Sequence, residues 1–130
     1  NCLDLFSGSG ILGFESLSRN AESCILVDNN TSTISILIDN KNNLNAKNAL
    51  IINLTAEIFL KNNQELFDII FFDPPFSSID IPSLLFEIKN HLKPNGVIYL
   101  EMNEKFSSNQ YNILKHSKAG KVYFYLLTLK

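Results

Sequence analysis

The stretch Phe67-Asp68-Ile69-Ile70-Phe71-Phe72-Asp73 is almost continuous in apolar side chains and is stopped outright by Pro74-Pro75. A run this short, closed by proline, reads as a strand rather than a helix. Near-continuous hydrophobicity predicts burial on both faces, as in parallel sheets covered by helices. Four further apolar runs, Cys2 to Phe6, Ser23 to Val27, Ala49 to Leu54 and Val97 to Met102, read the same way. Between the runs, apolar residues recur at helical spacing: Ile11, Phe14 and Leu17; then Ile34, Leu37, Ile38 and Leu44; then Ile58, Phe59 and Leu60; then Ile81, Leu84, Leu85, Ile88 and Leu92, with Pro82 in the first turn. His91 and Lys93 suit the carbonyl end of that last helix, which Pro94-Asn95-Gly96 ends, and both His91 and His116 read as surface residues. Tyr111 to His116 and Val122 to Leu129 flank Lys118-Ala119-Gly120-Lys121 and read as an antiparallel hairpin. The order predicts an α/β chain with an open, mostly parallel seven-stranded sheet, helices on both faces and the hairpin at its C-terminal end.

Length and composition bound the function. At 130 residues the chain is expected to be one domain, spanning 1–130, and 45% apolar residues supply a core. No apolar stretch approaches the roughly 20 residues of a membrane-spanning helix, and no charged start with an apolar core marks a signal peptide. Cys2 and Cys24 are too few for a disulfide framework; they read as small buried hydrophobes in a reducing, cytoplasmic compartment, with no metal site. A net charge of −2 argues against binding nucleic acid through a broad basic surface, though not against an enzyme that meets it through a small patch. Asn1 in place of Met marks the chain, in this reading, as a fragment.

Asp4-Leu5-Phe6-Ser7-Gly8-Ser9-Gly10-Ile11-Leu12-Gly13 places G-x-G-x-x-G directly after a strand and at the start of a helix, as in a Rossmann-like nucleotide site. Its glycines permit positive φ and close backbone approach to a ligand. Asp28, at the end of the second apolar run and about 20 residues on, suits a carboxylate taking both hydroxyls of a ribose. Asp4 lies inside the first strand, where a charge is costly unless paired. A pyrophosphate gains nothing from a carboxylate aimed at it, whereas a cationic amino group, or backbone amides needing an acceptor, would gain. Asp4 therefore tilts the ligand from a dinucleotide towards S-adenosylmethionine.

Asp73-Pro74-Pro75-Phe76 follows the clearest strand. Two prolines fix the backbone without donating hydrogen bonds, so the Asp73 carboxylate and the carbonyls of Asp73 and Pro74 become rigid acceptors. An aromatic ring follows for stacking, worth roughly 1–3 kcal/mol per base. The set suits a planar substrate bearing an NH2 group. Acceptors that hold both amine hydrogens favour a more pyramidal, more nucleophilic nitrogen, and positioning supplies on the order of 7–11 kcal/mol at best.

Asp4 to Gly10, Asp28 and Asp73-Pro74-Pro75-Phe76, at these separations, resemble the class I S-adenosylmethionine-dependent methyltransferases, and the Asp-Pro-Pro-Phe form resembles the branch that methylates amino nitrogens. The stretch from Gly10 to Arg19 and the tail Lys118-Ala119-Gly120-Lys121-Val122 narrow the resemblance to the RsmD family, which methylates N2 of one guanine in bacterial 16S ribosomal RNA. The resemblance implies that Asp4, Phe6, Ser7, Gly8, Ser9 and Gly10 border the methionine part of the cofactor, that Asp28 binds its ribose and that Asn29 sits beside the adenine. Thr55-Ala56 stands where the family shows Asp-Ala, so an adenine contact there falls to a hydroxyl. The resemblance further implies that Asp73, Pro74 and Phe76 hold the guanine, with Pro75 in the same catalytic motif. The implied partner is 16S ribosomal RNA or a small-subunit assembly particle, met by a cytoplasmic monomer without a membrane. The family carries a basic N-terminal segment that this chain is expected to lack. Other readings stand beside this one: transfer to another amino nitrogen (adenine N6 in DNA or RNA, or a protein glutamine), an eroded inactive relative, and, from a different class, a nucleotide-binding or NAD-dependent module.

Overall fold

The computed structural model describes residues 1–77 and 79–130. Seven strands form one sheet: β1 (Cys2–Asp4), β2 (Cys24–Asp28), β3 (Ala49–Asn53), β4 (Phe67–Phe72), β5 (Leu92–Met102), β6 (Tyr111–Ala119) and β7 (Val122–Leu129). Their order is β3-β2-β1-β4-β5-β7-β6. Pairing is parallel from β3 through to β5, and β7 runs antiparallel to both β5 and β6. The helices α1 (Ile11–Ser18), α2 (Thr31–Leu44), α3 (Ala56–Asn62) and α4 (Ile81–Ile88) connect the parallel strands. No helix among the described residues is long and apolar enough to cross a membrane.

Two apolar layers hold helices to the sheet. On one face Phe14 of α1 and Leu37 of α2 meet Cys2, Cys24, Leu26 and Ala49. On the other, Phe59 and Leu60 of α3 and Leu84, Leu85 and Ile88 of α4 meet Leu3, Val27, Ile70, Phe72 and Ile98. Both cysteines are free and buried. Three of the four connections begin with a side-chain cap: Asn30 accepts from the Thr33 N–H at 3.1 Å, Thr55 from Ile58 at 3.2 Å and Asp80 from Ser83 at 3.2 Å, while α1 starts at Gly10 without one. From β1 the chain crosses to β2 on one side, and from β4 to β5 on the other. The gap between β1 and β4 is therefore the switch point at which an open α/β sheet forms a ligand crevice.

The structure corrects four local expectations. β4 is not buried on both faces: Ile70 and Phe72 are fully buried, but Ile69 is 37% exposed, at an open groove that it borders together with Leu12 and Ser16 of α1. The helix after Pro82 stops at Ile88, a single 3-10 turn carries Lys89–His91, and Leu92 already pairs with Phe67. Lys93 to Gly96 then bulge within β5, with Asn95 at φ 66°, and Lys93 reaches Asp68 at 3.0 Å instead of capping a helix. His91 is buried, with Nδ1 3.0 Å from the Asn63 side-chain amide. β6 runs on to Ala119, leaving Gly120, at φ 61°, and Lys121 as the two-residue turn.

Gly10 illustrates how tightly α1 is fitted. It sits at φ 85°, and a Cβ there would lie 2.5 Å from the Phe14 ring and 2.8 Å from Leu37. Gly8, at φ 55°, has open space where its Cβ would be. Gly10→Ala is expected to lower unfolding stability by more than the ~1–2 kcal/mol of a left-handed L-residue, because the clash adds to it, whereas Gly8→Ala incurs the backbone cost alone. Urea unfolding of the two variants measures the difference, and equal losses would show that Gly10 is not held by packing.

Candidate active site

β1, β2 and β4 each end in an acidic residue on the same side of the sheet. Asp4 closes β1, Asp28 closes β2 and Asp73 follows β4. All three line one cavity of about 740 Å³. Phe6, Ser7, Gly8, Ser9, Asn29, Thr55, Ala56 and Pro75 line it too. Leu5, Ile11, Leu12, Leu54, Glu57 and Ile79, which the sequence reading did not assign, complete the wall. No Lys, Arg or His lines this cavity among the described residues. Nor do those residues include a group of three or more His, Cys, Asp or Glu side chains placed to hold a metal ion.

Asp4 is 1% exposed. Its Oδ2 accepts the Gly13 N–H at 3.1 Å, while Oδ1 has no hydrogen-bond partner. Burial pushes its carboxyl up to about 7; the Gly13 hydrogen bond opposes this, and the charges of Asp73 and Asp28 add to it. A buried carboxylate with one bare oxygen is costly until a donor or cation arrives. The third glycine of the loop is explained by the same contact. A Cβ on Gly13 would meet Leu26 at 2.7 Å and Asp4 Oδ2 at 3.2 Å. So only Gly8 leaves room for close approach to a ligand, and Gly10 and Gly13 are required by protein packing.

Asp28 is not the cap of α2, which is Asn30. Its Oδ2 accepts from the Gly8 N–H and its Oδ1 from the Asn30 N–H, each at 3.0 Å. These bonds lock the carboxylate against the glycine turn. Each oxygen keeps acceptor capacity for a hydroxyl facing it from the cavity. The Thr55 hydroxyl is committed to capping α3, and Ala56 is buried behind it.

Asp73 is half-buried. Burial is the main cause that raises its carboxyl to about 7, and the charge of Glu101 and a side-chain hydrogen bond with it add to the effect. Glu101 also accepts from the Tyr99 hydroxyl at 2.7 Å. Register leads towards this contact: Phe71 pairs with Tyr99 and Phe72 with Leu100, the last pair before Asp73 leaves the strand and meets Glu101. Sequence reasoning missed both Tyr99 and Glu101. The available signal was alternation in β5, where Ile98, Leu100 and Met102 are buried and the residues between them are not.

The remaining assigned residues lie elsewhere. Gly10 starts α1 and packs against Phe14, outside the cavity wall. Pro74 is buried beneath the turn. Phe76 is 41% exposed and lines an adjoining cavity of about 610 Å³ with residues including Met102, Phe106 and Tyr111. Ile79 borders both cavities, whereas Phe76 lines only the second.

Residues 1–128 match the protein family described as conserved hypothetical protein 95. The ribosomal RNA small subunit methyltransferase D of Haemophilus influenzae is 37% identical over 96% of this chain and 69% of its own length. The protein of the same name from Escherichia coli is 40% identical over 77% of this chain and 52% of its own length. Among solved structures, a methyltransferase candidate from Escherichia coli superposes with a TM-score of 0.90 at 31% identity, over 99% of this chain and 75% of that one. A conserved protein of Streptococcus pyogenes superposes equally well, with a TM-score of 0.90 at 24% identity over 99% of this chain and 85% of that one, and shows the shared fold.

Proposed function

The chain belongs to the ribosomal RNA small subunit methyltransferase D family, and from that premise we propose that it moves a methyl group from S-adenosylmethionine to the exocyclic N2 of a guanine in 16S ribosomal RNA. The observation that carries the reading is the convergence of Asp4, Asp28 and Asp73 on one cavity, with an oxygen of Asp4 left bare. That bare, buried oxygen fits a cationic α-amino group. The open side of Gly8 fits a ligand lying against the turn, and Asp28 fits a pair of hydroxyls. Bound there, S-adenosylmethionine supplies a methyl group made electrophilic by its sulfonium.

The chain's own residues do the rest. Asp4 and Asp28 hold the two polar ends of the donor. Asp73 accepts hydrogens of the substrate amine and turns its nitrogen towards the cavity. Pro74 and Pro75, with no N–H to offer, keep that turn a set of acceptors. Phe76, from the adjoining cavity, presents a ring face to the base. Substrate choice within ribosomal RNA, and the particle in which the RNA is met, belong to the same proposal.

Isothermal titration with S-adenosylhomocysteine and, separately, NAD tests the cavity; binding of NAD alone would overturn the reading. Mapping methylated guanines in ribosomal RNA from cells with and without the gene tests the substrate. Asp28→Ala is expected to weaken S-adenosylhomocysteine binding by about 1.5–3 kcal/mol, the worth of a charged hydrogen bond. Loss of its bonds to Gly8 and Asn30 would also loosen the turn. Unchanged affinity in that titration would remove Asp28 from the site.

A further inference from the structure

Glu101 is given no role above, yet of the charged groups around Asp73 it acts on that carboxyl most strongly. Glu101 lies in β5 and Asp73 directly after β4, one residue past the last registered pair, Phe72 with Leu100. The Tyr99 hydroxyl donates to Glu101 Oε1 at 2.7 Å. Tyr99 is itself held, its ring 6.2 Å from Phe71 and 6.4 Å from Phe124. Two acids and one pinned phenol thus form a chain on one face of the sheet: Asp73, Glu101, Tyr99.

We propose that Glu101 is a positioning residue for Asp73: it accepts a single proton shared between the two acids, which fixes one Asp73 oxygen away from the cavity and leaves the other as the acceptor for the substrate amine. This rests on the reading of Asp73 given above. Two donors, Asp73 and Tyr99, converge on Glu101, so the negative charge of the pair rests on Glu101 and the proton on Asp73. Among the described residues, the other titratable groups that line the cavity with Asp73 are Asp4, Asp28 and Glu57, from β1, β2 and α3, and all are acidic. With no basic side chain lining the cavity among the described residues, a shared proton is what makes two adjacent carboxyls tolerable.

The pair also balances the proton of the reaction. When the amine nitrogen bonds to carbon, it must shed one hydrogen as a proton. The free oxygen of Asp73 takes it. The pair passes from one proton and charge −1 to two protons and charge 0, and the partly exposed Glu101 returns a proton to water. The direction of Asp73 agrees with this arrangement, since its carboxyl is raised both by burial and by Glu101.

Carbon-13 carboxyl NMR titration of the ligand-free protein tests the proposal directly. In the parent protein Asp73 is expected to titrate near 7. In Glu101→Gln its midpoint falls by about one pH unit or more, equivalent to about tenfold in proton affinity. Tyr99→Phe changes no net charge near neutral pH, yet it is also expected to lower the Asp73 midpoint, because the proton moves towards Glu101. A merely structural role for Glu101 moves neither. Turnover in Glu101→Gln falls by about tenfold, with KM and S-adenosylhomocysteine affinity unchanged. An Asp73 midpoint identical in parent and both variants would overturn the role of Glu101, even if methylation of RNA proceeds. Failure of the parent to bind S-adenosylhomocysteine would overturn the reading of the cavity, and with it the substrate-facing part of this proposal, whatever the titration shows.

Discussion

Asp73→Ala lowers methyl transfer by about two to four orders of magnitude, the range lost when a positioned proton-handling group is removed, while S-adenosylhomocysteine binds nearly as well as to the parent. The separation of effects follows from the geometry. Asp73 stands at the end of β4, next to Glu101 of β5, whereas the turn proposed to hold the donor follows β1 and is tied by the bonds of Asp28 to Gly8 and Asn30. No hydrogen bond of that turn passes through Asp73. Single-turnover measurement with 16S ribosomal RNA, paired with calorimetry, reads both quantities. Parental turnover in the variant would remove Asp73 from the reaction. A large loss of cofactor affinity would instead make it part of the donor's site.

Asp4→Asn is expected to raise stability at pH 8 and to weaken cofactor binding. In the folded chain the Asp4 carboxyl titrates at about 7, against 3.8 in the unfolded chain. Between those values the folded state holds a proton that the unfolded state has released, so stability falls as pH rises from about 4 to 7 and stays lower above that. The gap of about three pH units (7 − 3.8) corresponds to on the order of 4 kcal/mol. Asp73 acts in the same direction. Asn carries no charge at any of these pH values. The thermal midpoint of Asp4→Asn should therefore match the parent at pH 4 and exceed it at pH 8. The same variant should lose about 1–3 kcal/mol of affinity for S-adenosylhomocysteine, since the bare Oδ1 no longer meets a cation as an anion. A lower midpoint than the parent at pH 8 would contradict the strain assigned to this carboxylate. Stability given up at a binding site and recovered on mutation is a common trade.

The fold was largely legible because the apolar period switches cleanly between strands and helices, and the predicted seven-stranded sheet with its terminal antiparallel pair is the one observed. What misled was local. Lys93-Pro94-Asn95-Gly96 carries every sign of a helix stop, yet it is a bulge inside β5, since pairing of Leu92 with Phe67 resumes the sheet before the proline. His91 looked polar enough for the surface, but the 3-10 turn rolls it inward onto Asn63. Asp4, Asp28 and Asp73 were each conspicuous as acids at strand ends. Glu101 was not, because its position depends on the register of β5 against β4, which no local pattern in either strand specifies. The glycines were read too uniformly: the motif spacing is the same whether a glycine faces a ligand or a neighbouring phenyl ring, and only the packing around Phe14, Leu37 and Leu26 separates the cases.

The central pairing of β1 with β4 joins residues more than 60 positions apart, Cys2 with Ile69 and Asp4 with Phe71. The floor of the cavity is therefore a seam between the early and late portions of the chain. An occupant bridging that seam would act as a rivet. Amide protons of Leu3 and Ile70 should then slow their exchange with solvent in concert when the crevice is filled, even though one lies near the start of the chain and the other past its midpoint.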